Sequence, residues 1–135
     1  MKLSDSELTR LAAEKVMGWK IQRIYANDPS VSFHDCVLRK WTPDDSWRLS
    51  RADTSAEEYW SPLTDWRAAG EIVDEMRDSG WALILVQRNN TYCAVFVLVG
   101  LNVDYQVEND GYESAPRAIT IAALFAVGAV TLEQV

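Results

Sequence analysis

The stretch that most constrains the fold lies near the C-terminus, at residues 114–130, with the sequence SAPRAITIAALFAVGAV. Ser114 and Pro116 predict a helix start, because a hydroxyl caps the first turn and proline is tolerated within it. After Thr120 the stretch has no polar side chain. A surface helix normally keeps one polar face. We therefore expect this helix to be covered on more than one side by a sheet, another helix or a partner chain.

Two further helices are indicated by their capping signals. Ser4 and Glu7 form a capping box before a helix over residues 5–17. Thr64 or Asp65 caps a second helix that ends at Gly80. Its inner stripe is expected to contain the following residues: Trp66, Ala69, Ile72, Val73 and Met76. Gly70 falls on the same side, where we expect it to allow close backbone packing.

Several stretches have the alternation or the apolar β-branched content of strands. Residues 81–87 and 91–99, separated by Arg88-Asn89-Asn90, predict a hairpin covered on both faces. Weaker strand patterns follow the ranges 19–26, 31–41, 47–51 and 101–107. Residues 42–63 otherwise indicate a long, partly ordered loop. The pattern predicts one α+β domain over residues 1–135, with an antiparallel or mixed sheet of about five strands and helices on both faces.

Charge and hydropathy narrow the classes of partner. The formal net charge is −7, and residues 44–78 carry ten acidic and four basic side chains. Such a chain is unsuited to tracking the phosphates of an extended nucleic acid or to binding an anionic membrane surface. The apolar run at 121–130 has about half the residues that a membrane span needs. The first residues contain no apolar signal region, and Cys36 and Cys93 lie far apart, so we expect a cytoplasmic protein.

Three segments together resemble a known family. They are LAAEKVMGWK at 11–20, SPLTDWRAAGEIVDEM at 61–76 and ESAPRAITIAALFAVG at 113–128. In order and spacing they resemble the AekvMGW, tDw.AAweVve and aP.Ai..AALla segments of the small bacteriophage proteins known as the phage ABA sandwich domain. The resemblance implies an α/β/α layered sandwich and a phage or prophage gene product, and it implies no particular chemistry. The chain departs from the pattern at Gly70, where a bulky aromatic residue is common.

Catalytic and metal-binding patterns are weak. His34 is the sole histidine, and it stands near Cys36, whereas a zinc site needs three or four ligands. No serine has the GxSxG context of a nucleophile. The acidic pairs Asp44-Asp45 and Glu57-Glu58 lie in a polar loop, where carboxylates are usually solvated. We expect no catalytic residue, metal or cofactor, and a binding protein rather than an enzyme.

Two features favour a bound ligand. Arg117 lies in the first turn of the last helix, where a cation opposes the helix dipole, and an anion bound beside Ser114 would relieve that conflict. The alternative is that Arg117 pairs with one of the nearby acids, Glu108, Asp110 or Glu113. The loop aromatics, with Trp47 next to Arg48, could stack on a base or a protein partner. They could equally pack the loop onto the sheet.

These features lead to three hypotheses about function, of which the third is a small enzyme that uses the loop carboxylates. In the first, the chain is a phage accessory protein that binds a small nucleotide, such as a host immune signal, through Arg117, Ser114, Trp47 and Arg48. It would then be an anti-defence protein acting in the cytoplasm of the infected host. In the second, it is a protein–protein inhibitor or assembly factor whose acidic segment and loop aromatics contact a host or phage protein. We also expect a homo-oligomer.

Overall fold

The computed structural model describes residues 2–22, 36–41, 46–51, 57–98, 103–106 and 111–135. Its helices are α1 (Asp5–Leu11), which continues as a π-helical segment at Ala12–Val16, α2 (Trp66–Asp78) and α3 (Ala115–Ala126). A short 3₁₀ helix follows at Leu132–Gln134. The strands are β1 (Lys20–Gln22), β2 (Val37–Trp41), β3 (Ser46–Ser50), β4 (Glu57–Tyr59), β5 (Trp81–Arg88), β6 (Thr91–Leu98) and β7 (Val103–Gln106).

The described strands form two sheets, so the prediction of one sheet of about five strands is wrong for this part of the chain. The first sheet has the order β1-β2-β3-β4, with β1 parallel to β2 and the other pairs antiparallel. The second is antiparallel and has the order β5-β6-β7. The α+β class and the β5–β6 hairpin are confirmed. Parts of the predicted strands, residues 23–26, 31–35, 99, 101–102 and 107, lie outside the described residues.

The helices connect the two sheets through one hydrophobic core. α1 contacts β3, whereas α2 contacts β5 and α3 contacts β6 and β7. The helices also contact one another, because α2 packs on α3 and both touch the π-helical segment. The core includes Leu38 and Leu49 of the first sheet together with Ala94 and Phe96 of the second.

α3 is covered almost all round, as its sequence predicts. Ten of its residues are buried, and Ile121, Ala122, Ala123 and Leu124 have no exposed surface. Its alanines let neighbouring elements approach closely, since they add little volume beyond the backbone. The helix ends at Gly128, whose φ of 73° is the left-handed conformation typical of a helix C-terminus. Within the described residues, no helix is long and apolar enough to cross a bilayer.

Two predictions about burial are wrong. Trp66 was expected in the inner stripe of α2, but 59% of its surface is exposed. The hairpin was expected to be covered on both faces. Instead β5 exposes Ile84 by 52% and Val86 by 36%, on the face opposite the helices. The second sheet therefore has one apolar face that no described helix covers.

Gly70 faces open space rather than the close packing that its position predicts. A Cβ built at Gly70 meets no atom within 4 Å. Because glycine inside a helix costs about 0.5–1 kcal/mol relative to alanine, we expect Gly70→Ala to raise the free energy of unfolding by about that amount. Urea denaturation followed by far-UV circular dichroism measures the change.

Gly128 provides a matched control for this substitution. A Cβ at Gly128 also meets no atom within 4 Å, but its φ of 73° is unfavourable for alanine. Gly128→Ala should therefore lower the stability, so that the two substitutions differ in sign. A loss of stability in Gly70→Ala would show that the space beside α2 is not open in solution.

Candidate functional site

One of the four predicted ligand contacts, Trp47, lines a cleft. Ser114 and Arg117 do not line it, but each forms a hydrogen bond to a residue that does. The cleft has a volume of about 230 Å³ and lies between the start of α1, the start of β3 and the turn that precedes α2. It is lined by Asp5, Ser6, Thr9, Ser46, Trp47, Trp60, Ser61, Leu63 and Thr64. Hydroxyl groups and two tryptophans therefore dominate its walls, and Asp5 supplies the one carboxylate among them.

α3 positions the turn that forms one wall. The Ser114 hydroxyl donates to the carbonyl of Leu63 at 3.4 Å and accepts from the Arg117 amide at 3.4 Å, as a helix cap does. Thr120, which is fully buried, donates to the carbonyl of Pro62 at 2.9 Å. Ser114 thus acts on the cleft through the backbone of the turn, and its hydroxyl is engaged within the fold.

Trp47 forms the wall opposite the turn. Its indole N–H lies 3.0 Å from both the carbonyl and the hydroxyl of Ser6, so the ring is fixed against the start of α1. The ring is half-buried, and the Lys40 ammonium lies 5.9 Å from its centroid. Trp60 is 2% exposed and meets Trp19 edge to face, with 4.9 Å between the ring centroids.

Arg117 is paired with an acidic residue that the sequence did not indicate. Its guanidinium donates to the Asp5 carboxylate at 3.0 Å. Of the partners that the sequence predicts, Glu108 and Asp110 lie outside the described residues. The arginine side chain is 32% exposed and that of Asp5 65% exposed. The pair is therefore open to solvent and contributes little to stability. The conflict between Arg117 and the dipole of α3 is relieved by Asp5, at the rim of the cleft.

Tyr112 lies next to this ion pair. The Arg117 guanidinium is 5.9 Å from the centroid of the tyrosine ring. Burial raises the pKa of the Tyr112 hydroxyl above its ordinary value, and the positive charge of Arg117 acts in the opposite direction. The phenol is neutral at physiological pH and forms an apolar flank beside the arginine.

Arg48 does not belong to the cleft. Successive residues of a strand project to opposite faces of the sheet, and Trp47 faces the helices. Arg48 instead stacks on Tyr59 of β4, with its guanidinium carbon 4.9 Å from the ring centroid and a 3.1 Å hydrogen bond to the phenol oxygen. Trp47 and Arg48, two of the four predicted contacts, therefore lie on opposite faces of the first sheet.

The acidic pair Glu57-Glu58 is divided in the same way, and each carboxylate has an arginine partner. Glu57 pairs with Arg39 at 3.0 Å. Glu58 pairs with Arg51 at 2.7 Å, and Arg51 also binds Glu71. Burial alone would lower the pKa of Arg51, but the two carboxylates raise it above its ordinary value.

The other catalytic and metal candidates have no counterpart in the described part of the chain. Asp44, Asp45 and His34 lie outside the described residues. Among those described, no three histidine, cysteine, aspartate or glutamate side chains come together as a metal site would require. Cys36 and Cys93 are free thiols.

The cleft has the chemistry of a binding site for a small ring with polar substituents. An aromatic wall offers a stacking surface, and the hydroxyls with Asp5 can hydrogen-bond hydroxyl groups of a ligand. Arg117 lies where an anionic group could reach it from the rim. At about 230 Å³ the cleft is smaller than the roughly 300–1,000 Å³ of drug-sized pockets, so it suits one small group of a larger ligand.

Comparisons with known proteins agree with this fold. Residues 10–124 match the family model described as Phage ABA sandwich domain. Among solved structures, a phage protein from Bacillus cereus ATCC 14579 superposes with a TM-score of 0.56 at 14% identity, over 95% of this chain and 93% of that one. At this identity the similarity shows the fold alone. No curated protein sequence matches the chain. Trp47, Ser114 and Arg117 lie inside the matched range, and Asp5 precedes it.

Proposed function

Because the chain belongs to the phage ABA sandwich domain family, we propose that it is a phage or prophage accessory protein that acts by binding rather than by catalysis. The family membership supports the phage origin, and the fold does not fix an activity. The activity is inferred from the cleft. The observation that carries it is the combination of Trp47 and several hydroxyl groups in the lining with Arg117, which pairs with the lining residue Asp5.

The ligand proposed for the cleft is a nucleotide. Its base or sugar would occupy the cleft against Trp47, and Asp5 would accept hydrogen bonds from ribose hydroxyls. A phosphate would compete with Asp5 for Arg117 at the rim, because the pair is solvent-exposed and weak. Only one nucleoside unit would be enclosed, since the volume is small. Sequestration of a host immune nucleotide in the host cytoplasm is the biological role that such binding would serve.

Thermal unfolding with a panel of nucleotides, cyclic dinucleotides and cyclic ADP-ribose isomers tests this proposal. A ligand at a hundred times its Kd adds about 2.7 kcal/mol to the free energy of unfolding. We expect Tm to rise by roughly 6–14 °C for the ligand that binds, at about 2–5 °C per kcal/mol. Circular dichroism is the better signal, because a nucleotide stacked on Trp47 would change its fluorescence directly.

Arg117→Ala and Arg77→Ala form a matched pair for this experiment. Arg77 is also a helical arginine paired with an aspartate, Asp74, at 3.5 Å, but Asp74 does not line the cleft, whereas Asp5 does. The ligand-induced shift should be lost in Arg117→Ala and kept in Arg77→Ala. A flat panel with the folded wild-type protein, or a shift that both variants keep, would contradict nucleotide binding at this cleft.

A second candidate function is inhibition or assembly of a protein partner, and it is favoured by Tyr59. This residue is 63% exposed on the outer face of the first sheet and carries Arg48 stacked on it. Tyrosine and arginine are enriched among the residues that contribute most to protein interfaces. The acidic segment is less available than its sequence suggests, because Glu57 and Glu58 pair with arginines. Loss of a partner in Tyr59→Ala but not in Arg117→Ala would favour this second function.

A further inference from the structure

β5 is an edge strand without the features that usually prevent edge pairing. It is the first strand of the order β5-β6-β7. Its residues 81–86, WALILV, are six apolar side chains with no charge, proline or glycine among them. Natural edge strands usually carry such residues, a bulge or a cover, because an unpaired strand is a template for another strand. Among the described strands, none pairs with this edge of β5.

In an antiparallel pair, hydrogen-bonded and non-hydrogen-bonded residue pairs alternate, and this alternation shows which backbone groups of β5 point outward at its edge. Tyr92 of β6 donates to the Tyr112 carbonyl at 2.7 Å and accepts from the Tyr112 amide at 3.0 Å, so its groups point away from β5. Gln87, which is opposite Tyr92, is therefore not bonded to β6. By alternation the amides and carbonyls of Leu83 and Leu85 also point outward. None of these three residues makes a backbone hydrogen bond at this edge to the described chain.

Both faces of the strand beside this edge carry apolar side chains that are at least partly exposed. The side chains of Leu83 and Leu85 line a groove of about 510 Å³ between α2 and β5, which Gly70 widens by its lack of a side chain. Trp66 stands exposed at the same groove. On the opposite face of the sheet, Ile84 is 52% exposed. An added strand would therefore find backbone partners and apolar surface on both sides.

We propose that β5 pairs antiparallel with β5 of a second copy of this chain, forming a two-fold dimer with a continuous six-stranded sheet. The outward-pointing residues must face each other, and a two-fold axis at Ile84, near the middle of β5, satisfies this. Ile84 lies opposite Ile84 of the second copy, and Leu83 lies opposite Leu85 of that copy. The same surface serves on both subunits, as a two-fold interface requires.

Charges at the two ends of the strand favour this occupant over an unrelated peptide. Asp78 precedes β5 at the end of α2, and Arg88 is its last residue. In the proposed register Arg88 faces Gly80 of the second copy, two residues from that copy's Asp78, whose carboxylate lies 3.9 Å from Arg77 of its own chain. Each dimer would contain this charge pair twice. Parallel pairing would instead place Arg88 beside Arg88 and lose the complementarity.

Multi-angle light scattering after size-exclusion chromatography, over a wide concentration range, tests the dimer. We expect the wild-type protein to have twice the monomer mass. Ile84→Lys should give a monomer, because two lysines would meet on the two-fold axis. Ile84→Thr is the matched control, since it keeps a β-branched side chain without the charge and should still dimerise. A monomeric wild-type protein, or a dimer that survives Ile84→Lys, would overturn the proposal.

A charge exchange tests the register. Arg88→Glu and Asp78→Arg should each weaken the dimer, and the double variant should restore it, because the pair is re-formed with reversed signs. Hydrogen exchange adds a site-specific readout. The amides of Leu83, Leu85 and Gln87 should be protected in the wild-type dimer and exposed in Ile84→Lys. Failure of the double variant to restore the dimer, or fast exchange at these amides in the wild type, would refute this pairing. Neither result bears on ligand binding at the cleft.

Discussion

Trp60→Ala should lower the free energy of unfolding by about 3–5 kcal/mol, the range for removing a large buried aromatic side chain. Trp60 is 2% exposed and lies in the core that joins both sheets to the helices. Its removal also ends the edge-to-face contact with Trp19 at 4.9 Å. Aromatic pairs of this kind contribute about 0.5–1.5 kcal/mol beyond the area that they bury. Urea denaturation followed by far-UV circular dichroism measures the loss.

Trp60→Phe is the informative companion to this variant. The buried indole nitrogen of Trp60 has no hydrogen-bond partner in the described structure. Phenylalanine keeps a ring against Trp19 and removes a buried donor that gains nothing, so the loss should be clearly smaller than for alanine. Equal losses in the two variants would mean that Trp60 has an acceptor in solution, because only a satisfied donor would make its removal so costly.

Ile121→Ala should lower the free energy of unfolding by about 2–5 kcal/mol. Ile121 lies in the middle of α3 and has no exposed surface. The surrounding elements pack on α3 from several directions, so they cannot close the resulting cavity by moving one side chain. The destabilisation comes from lost apolar burial together with the cavity. The midpoint of chemical denaturation should fall while the slope stays constant.

Leu132→Ala is the matched control for a lost aliphatic side chain. Leu132 is 55% exposed, so its truncation should change stability by no more than about 0.5 kcal/mol. A similar loss at both positions would contradict the central place of α3 in the core. A small loss at Ile121 alone would show that α3 is loosely packed.

Helices and the hairpin could be predicted from local patterns, but the division into two sheets could not. The apolar stretch after Thr120 predicts the buried α3, and the two runs around Asn89-Asn90 predict the β5–β6 hairpin. The parallel pairing of β1 with β2 depends on contacts between segments that are distant in sequence. No spacing within either strand specifies its neighbour.

Trp66 shows how periodicity can misplace a side chain. The buried residues of α2 are Ala68, Ala69, Ile72 and Met76. At about 100° per residue, Trp66 lies roughly 100° around the helix from the centre of that face. A stripe drawn by spacing alone is wide enough to include this position. The open groove beside Gly70, which leaves Trp66 exposed, depends on tertiary structure.

The candidate site could be predicted only in part. Trp47 lines the cleft, and binding by any of the four predicted contacts stays a prediction. Successive residues of a strand face opposite sides, so the sequence alone could have shown that Arg48 and Trp47 do not share a face of the sheet. Asp5 was missed because it lies 112 positions from Arg117, and no local pattern connects the two.

The hydroxyl groups of Ser114 and Thr120 donate hydrogen bonds to the turn before α2, and these bonds also bear on how the cleft moves. They tie one wall to the most deeply packed helix, so that wall should open only in the rare global unfolding events of the core. The start of α1 is held by contacts nearer the surface, the exposed ion pair at Asp5 and the bond from the Trp47 indole to Ser6, so it should fray more often. Ligand entry would then be gated from the α1 side, and substitutions that loosen α1 would change the association rate while leaving the tethered wall intact.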